Sequence, residues 1–426
     1  MELDALVLFD ALSQVRIAGL SAGERAARVA RRAGATRVLV VDRVRDQLVA
    51  WRGARSCPLL VIRADQLVHP PLVMPLCAAP AAEGLAIAVG PDGGYAGALL
   101  ATGSRAGQVI DALGRGDSDT AIAQAATQRV SHGEIARHPI ATPDERRAAH
   151  RLLYRILIKR QDNAVTRYLY RPVSFALTRL LVWTPITPNQ VSYLVAAIVV
   201  LGCWLTASPS MHRVFDGTLV ILAAAYLDCC DGEIARVKLL SSRLGAWIDT
   251  VVDELSSVGY MVALGWHCHL AFGPRYLGDL GFDPWLAAIA LGAITYGWSM
   301  YCIYYNIIVG VGSANSQDYA GSFEVVPGGR PGSVRLRPVA AQPIAPRRAL
   351  PGWLAAIATY APYAVRRDFI SWAALAFVVL HGAALLFAVL TLGGIVTFVI
   401  VAIDHIQLRR LRRSIVRGGQ ILEPSS

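Results

Sequence analysis

The stretch YLDCCDGEIARVKLLSSRLGAWIDTVVDELSS, residues 226–257, sets Asp228, Asp231, Asp249 and Asp253 into two segments that otherwise read as membrane helix. Ionisable side chains at that depth are costly, and where they occur they mark an ion, proton or substrate site by default. On a helix Asp228 and Asp231 lie three apart, and Asp249 and Asp253 four apart, so each pair projects from one face. Two such faces turned together make an oxygen-rich cage. Clustered carboxylates repel unless cations lie between them, and hard divalent ions such as Mg2+ take carboxylate oxygens together with substrate phosphates. Four carboxylates suit two ions. Without a functional role the same residues would be helix-end aspartates paired with Arg236, Lys238 and Arg243.

On both sides of this stretch the chain is apolar. Six spans are expected, at about 190–207, 214–230, 246–267, 284–309, 370–389 and 391–407, each near the roughly 20 residues a bilayer requires. Their connections alternate in charge. Residues 231–245 carry Arg236, Lys238 and Arg243, residues 310–369 carry seven arginines, and RRLRR occupies 409–413, whereas 208–213 and 268–283 carry one arginine each. The positive-inside rule therefore places both termini and the aspartates on the cytoplasmic side of a plasma or inner membrane. His267, His269 and His381 then fall near the far side as interfacial or packing residues. Residues 310–350, rich in Gly, Pro and Ser, read as a flexible loop.

Upstream the character changes. Residues 22–33, AGERAARVARRA, form a helix ended by Gly34, and RVLVVD (37–42), LLVIRAD (59–65) and LAIAVG (85–90) are strand-like runs, the last leading into the turn PDGGY. Alternating strands and helices imply a soluble α/β sheet over residues 1–140. A linker with a basic amphipathic helix at the membrane interface follows over 141–187, then an all-α six-helix transmembrane domain over 188–410 and a basic tail over 411–426. Thr187-Pro188-Asn189 opens the first span, with Asn189 as the N-cap. The whole chain of 426 residues is 54% hydrophobic with a formal charge of +11. Its mean hydropathy is +0.44. That balance excludes a purely soluble protein, and the arginines sit at helix flanks rather than in an aromatic-interleaved patch, so nucleic acid is not the expected partner. The seven cysteines are scattered and define no disulfide framework or zinc site, and MELDALVLFDALSQ has no signal-peptide pattern.

Read by spacing, Asp228-x2-Asp231-Gly232-x2-Ala235-Arg236-x8-Gly245-x3-Asp249-x3-Asp253 resembles, with no mismatch, the signature of the CDP-alcohol phosphotransferases. The resemblance covers about 155–410. It implies transfer of a substituted phosphate from a CDP-alcohol to an acceptor hydroxyl with release of CMP, as in phospholipid or inositol-phosphodiester synthesis. It implies two Mg2+ (or Mn2+) ions, one held by Asp228, Asp231 and Asp249 and the other by Asp228, Asp249 and Asp253, with Asp253 as catalytic base. Contacts to CDP would come from Thr187, Asn189, Asp228, Gly232, Ala235, Arg236 and Gly245. Arg366 and Arg367 would bind a phosphate-bearing acceptor, and the membrane domain would form a homodimer. Two other classes of protein carry aspartates in apolar helices. An ion-coupled transporter would show inverted repeats and broken helices, and a non-catalytic scaffold would have lost motif aspartates; neither pattern is present.

Residues 1–135 more weakly resemble the nucleotidyltransferase domain of bifunctional inositol-phosphate cytidylyltransferases, on Gly19-Leu20-Ser21, Glu24-Arg25 and RAGATRVLVVD. Active members cradle nucleotide phosphates with a glycine-rich loop, but VLFDALSQVRIA at 7–18 contains no glycine. The domain is therefore read as degenerate, with Asp42 and Asp65 as strand-end residues rather than metal ligands. The alternative is a bifunctional enzyme that also makes its CDP-alcohol. The protein given CTP, inositol phosphate and Mg2+ is expected to release no pyrophosphate; release above the no-enzyme rate would establish the bifunctional alternative.

Overall fold

The structure, a computed structural model, describes residues 2–41, 45–53, 55–78, 83–133, 135–158, 164–275, 278–312, 318–330, 332–339 and 367–423. Asp42 lies outside them. The chain forms two compact units, one of Met1–Gln161, Phe175–Ile186 and Glu233–Leu240, the other of Asp162–Ser174, Thr187–Gly232 and Ser241–Ser426.

In the first unit the chain runs β1 (Asp4–Leu8), β2 (Arg16–Ile17), β3 (Leu20–Ser21), α1 (Ala22–Arg32), β4 (Arg37–Val41), α2 (Arg45–Arg52), β5 (Leu59–Arg63) and β6 (Gln66–Val68). It continues through α3 (Met74–Ala78), β7 (Gly84–Val89), β8 (Tyr95–Thr102), α4 (Arg105–Gly114), α5 (Asp119–Gln124), β9 (Gln128–Ser131), β10 (Arg137–Pro139) and α6 (Pro143–Arg155). Six strands make one sheet in the order β4-β1-β5-β8-β7-β9. β1 is parallel to β4 and β5, and β8 is antiparallel to β5 and β7. Alternation along each strand divides the sheet's side chains between two cores. Ala5, Val7, Leu60, Ile62 and Leu100 pack with Ala26, Val29 and Ala30 of α1, while Leu6, Leu8, Leu59, Val61 and Leu99 pack with Val109, Ile110 and Leu113 of α4. β1 is buried on both faces, which is why it reads as a continuous apolar run. Its first residue, Asp4, is fully buried and paired with Arg52 Nη1 at 2.8 Å.

Local chemistry sets the ends of α1. Ser21 Oγ accepts from Glu24 N at 3.1 Å at the start, and Gly34 with φ 99° closes the far end. In PDGGY, Asp92 Oδ1 accepts from Gly94 N at 3.2 Å and Gly93 has φ 71°, giving the β7–β8 turn. Asp65 pairs with Arg63 just beyond β5.

The second unit is helical: α8 (Pro188–Thr206), α9 (Met211–Val237, less its last turn), α10 (Arg243–Phe272), α11 (Pro284–Asn306), α12 (Arg367–Val379) and α13 (Ala383–Arg417). α7 (Arg171–Leu181) precedes them, its first turn in this unit and the rest in the first. Tyr260, Met261, Leu264 and Cys268 of α10 pack with Trp285, Ala374, Val378, Leu386 and Phe387. Among the described residues three helices are long and apolar enough to cross a membrane, Pro188–Thr206, Pro284–Val311 and Ala383–Arg417, and Phe369–Val379 is a shorter apolar helix. Large apolar side chains such as Val200, Trp204, Ile294, Trp298 and Ile400 remain exposed on them.

Three expectations change. The N-cap of α8 is Thr187, not Asn189: Thr187 and Gln190 form a reciprocal capping box with Pro188 at the first helical position. Proline's fixed φ suits that position, where no N–H is needed. The last two helices divide at 380–382, not near residue 390. There Gly382 N donates to Phe377 O at 2.7 Å and His381 N to Val378 O at 3.0 Å, with His381 at φ 59°. This is a Schellman ending with histidine where glycine usually sits, so no glycine marked the left-handed position. Within 310–350, residues Phe323–Pro327 (β11) and Ser333–Pro338 (β12) form an antiparallel hairpin, and 340–350 lie outside the described residues. Within the basic tail α13 runs to Arg417, and Ile421–Leu422 (β13) pairs with β12. Glu423 joins them, its carboxylate accepting from Ser333 Oγ at 2.7 Å and Arg335 Nε at 2.5 Å.

One titration follows from the first unit's packing. Burial, reinforced by Arg25 and Arg32, pushes the His69 imidazole down to about 4 from the ordinary 6.5. The unfolded chain therefore takes up a proton at higher pH than the folded one, and stability falls as pH drops from about 6.5 towards 4. Thermal unfolding of the first unit is expected to shift down by several degrees between pH 7 and 5. His69→Gln should flatten that dependence; an equally steep slope in this variant would remove His69 as its cause.

Candidate metal centre

Asp228 lies on α9, and Asp249 and Asp253 lie one turn apart on α10. A carboxylate oxygen from each comes within 4.8 Å of the other two, and all three residues are half-buried. This is a hard-oxygen donor set whose members repel without a cation, so a divalent ion fits it.

Asp231 has a different setting. It is 5% exposed, Ser192 Oγ of α8 donates to its Oδ2 at 2.5 Å, and the Gly232 amide donates to its Oδ1. Ser192 was not picked out by sequence; its only signal was its place one turn after Pro188. Gly245 lies in the first turn of α10, where Ser242 caps the helix through Gly245 N at 2.9 Å. A Cβ on Gly245 would sit 3.0 Å from Asn189 Oδ1, so glycine allows the starts of α8 and α10 to approach closely. Thus the first turns of α8 meet α10 where Asn189 faces Gly245, and meet α9 where Ser192 engages Asp231. Ala235 and Arg236 lie in the last turn of α9, half-buried, in the first unit. Arg366 lies outside the described residues and Arg367 begins α12.

Glu254 also escaped the sequence reading, because it lies outside the motif spacing. Its carboxylate accepts from the hydroxyls of Tyr296 and, at 3.2 Å, Tyr304, both on α11. Trp247, two residues before Asp249, packs on the Tyr304 ring with centroids 5.6 Å apart. These contacts hold α10 on the side away from the aspartates. Of the three histidines expected at the far side, His267 Nδ1 lies 2.6 Å from Ser208 O and His269 Nδ1 2.6 Å from Asp283 Oδ2, while His381 is exposed.

Residues 185–331 match the family model of the CDP-alcohol phosphatidyltransferases. A protein of Aquifex aeolicus named bifunctional IPC transferase and DIPP synthase is 27% identical over 162 residues, which cover 38% of this chain and 35% of that one. Its namesake in Rubrobacter xylanophilus is 33% identical over 159 residues, 37% of this chain and 35% of the relative. The phosphatidylinositol phosphate synthase of Corynebacterium glutamicum is 30% identical over 90 residues, 21% of this chain and 40% of the relative. The chain thus covers about a third of the length of the curated relatives it matches. The α/β sheet of the first unit agrees with a nucleotidyltransferase-like domain.

Hydrogen bonds to a charged group contribute about 1.5–3 kcal/mol each. Tyr296→Phe with Tyr304→Phe is expected to lower unfolding stability by about that much or more. Unchanged stability in the double variant would show that Glu254 does not anchor α10.

Proposed function

We propose that the protein is an integral-membrane CDP-alcohol phosphotransferase, moving a substituted phosphate from a CDP-alcohol to an acceptor hydroxyl and releasing CMP. The observation that carries this reading is the convergence of Asp228, Asp249 and Asp253 from two helices within a complete family motif. Divalent ions, two in this reading, would be held by these three residues and Asp231, and when bound they neutralise the pyrophosphate and the departing CMP. The protein's own part is positioning and proton transfer. Asp253 takes the proton from the acceptor hydroxyl as its oxygen bonds to phosphorus and the bond to CMP breaks. In this reading CDP would be contacted by Thr187, Asn189, Asp228, Gly232, Ala235, Arg236 and Gly245, the two glycines permitting close approach.

The reading extends to six spans, both termini and the aspartates facing the cytoplasm, and a homodimer through the helical unit. The basic connections support this orientation. α9 and α10 count among the six in this reading because each carries a long apolar run beside its motif aspartates, at 217–227 and 258–266. An inositol-bearing substrate pair is favoured by relatives named IPC transferase and phosphatidylinositol phosphate synthase. Arg366 and Arg367 would anchor an acceptor phosphate, since a guanidinium fits it bidentately.

A bifunctional enzyme is the lesser reading. The turn after β1 has no glycine, and the Phe9 ring lies over the first turn of α1, 3.3 Å from where a Cβ on Gly23 would be.

CMP release by the purified protein, measured against a panel of CDP-donors and acceptors, tests the proposal. Activity is expected with Mg2+ or Mn2+ and none with EDTA; turnover that persists in chelator would reject it. Asp253→Asn should lose about 10²–10⁴-fold in rate, and retention of more than a tenth would acquit Asp253 as base. In the same panel Arg366→Ala and Arg367→Ala should raise the acceptor KM and leave the donor KM unchanged. Equal effects on both substrates would make these arginines helix-flank residues.

A further inference from the structure

The last four carbonyls of a helix have no partner within it, and where each goes must be accounted for. At the end of α9 the accounting closes. Leu240 N donates to Ala235 O at 2.8 Å and Leu239 N to Arg236 O at 3.3 Å, a Schellman ending with Leu239 at φ 56°. The next two carbonyls are taken from outside the helix. Arg25 Nη2 donates to Val237 O at 2.7 Å, and Arg28 Nη1 donates to Lys238 O at 2.7 Å. Both arginines lie on one face of α1, three apart, and all these residues belong to the first unit.

Several features show that this is a built contact. Arg25 is fully buried, although burial of a guanidinium is costly, and burial brings it down only to about 10, so it stays charged at neutral pH. Leu239 holds a left-handed conformation that leucine disfavours, and its side chain packs against the core shared by β1, β5 and α1. Lys238, 6% exposed, donates from Nζ to Thr184 O at 2.7 Å and Ile186 O at 3.3 Å, the carbonyls just before Thr187. Gly19 at φ 80° passes so close to this segment that a Cβ would stand 1.8 Å from Val182 O. Positive charge at a helix C-terminus also opposes the negative end of its dipole.

We propose that Arg25 and Arg28 are positioning residues that cap α9 from outside, so that the α/β domain, lacking a phosphate loop, serves to keep the motif turn carrying Ala235 and Arg236 wound. The part concerning catalysis rests on the transferase reading; the structural part does not. The cap explains why a domain without a nucleotide loop keeps a buried arginine on α1.

The test uses the full-length protein with Arg25→Met, which keeps the aliphatic stem, Arg25→Lys, which keeps a donor, and Arg28→Met. Hydrogen exchange of amides 233–240 is expected to speed up about tenfold in Arg25→Met while the strands β1 and β5 stay protected, with Arg25→Lys in between. CMP release should show a raised donor KM and an acceptor KM within twofold of wild type. Unchanged exchange at 233–240, or exchange raised equally through the whole unit, overturns the cap. Should Arg25→Met fail to accumulate, Arg28→Met, whose side chain is partly exposed, is read by the same exchange at Lys238 to Leu240. If the wild type releases no CMP from any donor, the transferase reading falls while the exchange result still decides the cap.

Discussion

Three carboxylates held within 4.8 Å of one another on apolar helices are the constraint that the helical unit must satisfy. Like charges at that separation repel, and in surroundings of low dielectric the repulsion is stronger than in water. The helices that carry them must therefore be fixed by contacts that do not depend on the carboxylates themselves. Those contacts are present on each side of the cluster. Ser192 on α8 engages Asp231, and Tyr296 and Tyr304 on α11 engage Glu254.

The helix ends near the cluster use the same device repeatedly. Thr187 caps α8 with a box closed by Gln190, and Ser242 caps α10 through Gly245 N. Each satisfies amides that water would otherwise have to reach. The two starts can lie side by side because Gly245 has no side chain to meet Asn189. An N-terminal helix end carries partial positive charge, and two such ends close together suit a ligand bearing phosphates.

Much of this was legible in sequence, and the reasons for success and failure are physical. The aspartate motif could be read because a functional carboxylate in an apolar run violates the local rule and so stands out. The sheet could be read because β5 and β7 are buried along their length and leave continuous apolar runs, whereas β1 was not picked out. What stayed hidden were features whose signal is conformational. His381 and Leu239 end helices in the left-handed region without the glycine that normally announces it. The 323–338 hairpin was masked by glycine and proline that read as loop, and its third strand comes from residues 421–422, too far along the chain for any local pattern. Asn189 stands two residues past the true N-cap because Pro188 is the first residue of the helix rather than a barrier to it.

Glu254 and Asp253 illustrate how one helix is oriented from two directions. Neighbours on a helix point about 100° apart, so the same turn of α10 presents Asp253 to the carboxylate cluster and Glu254 to the tyrosines of α11. Rotation of α10 that relieved repulsion among the aspartates would pull Glu254 from two phenolic hydroxyls and separate Trp247 from Tyr304. The anchoring side thus opposes the motion that the charged side favours. A site built to receive cations is in this way held close to its geometry by ordinary hydrogen bonds and ring packing on the opposite face of the same helix.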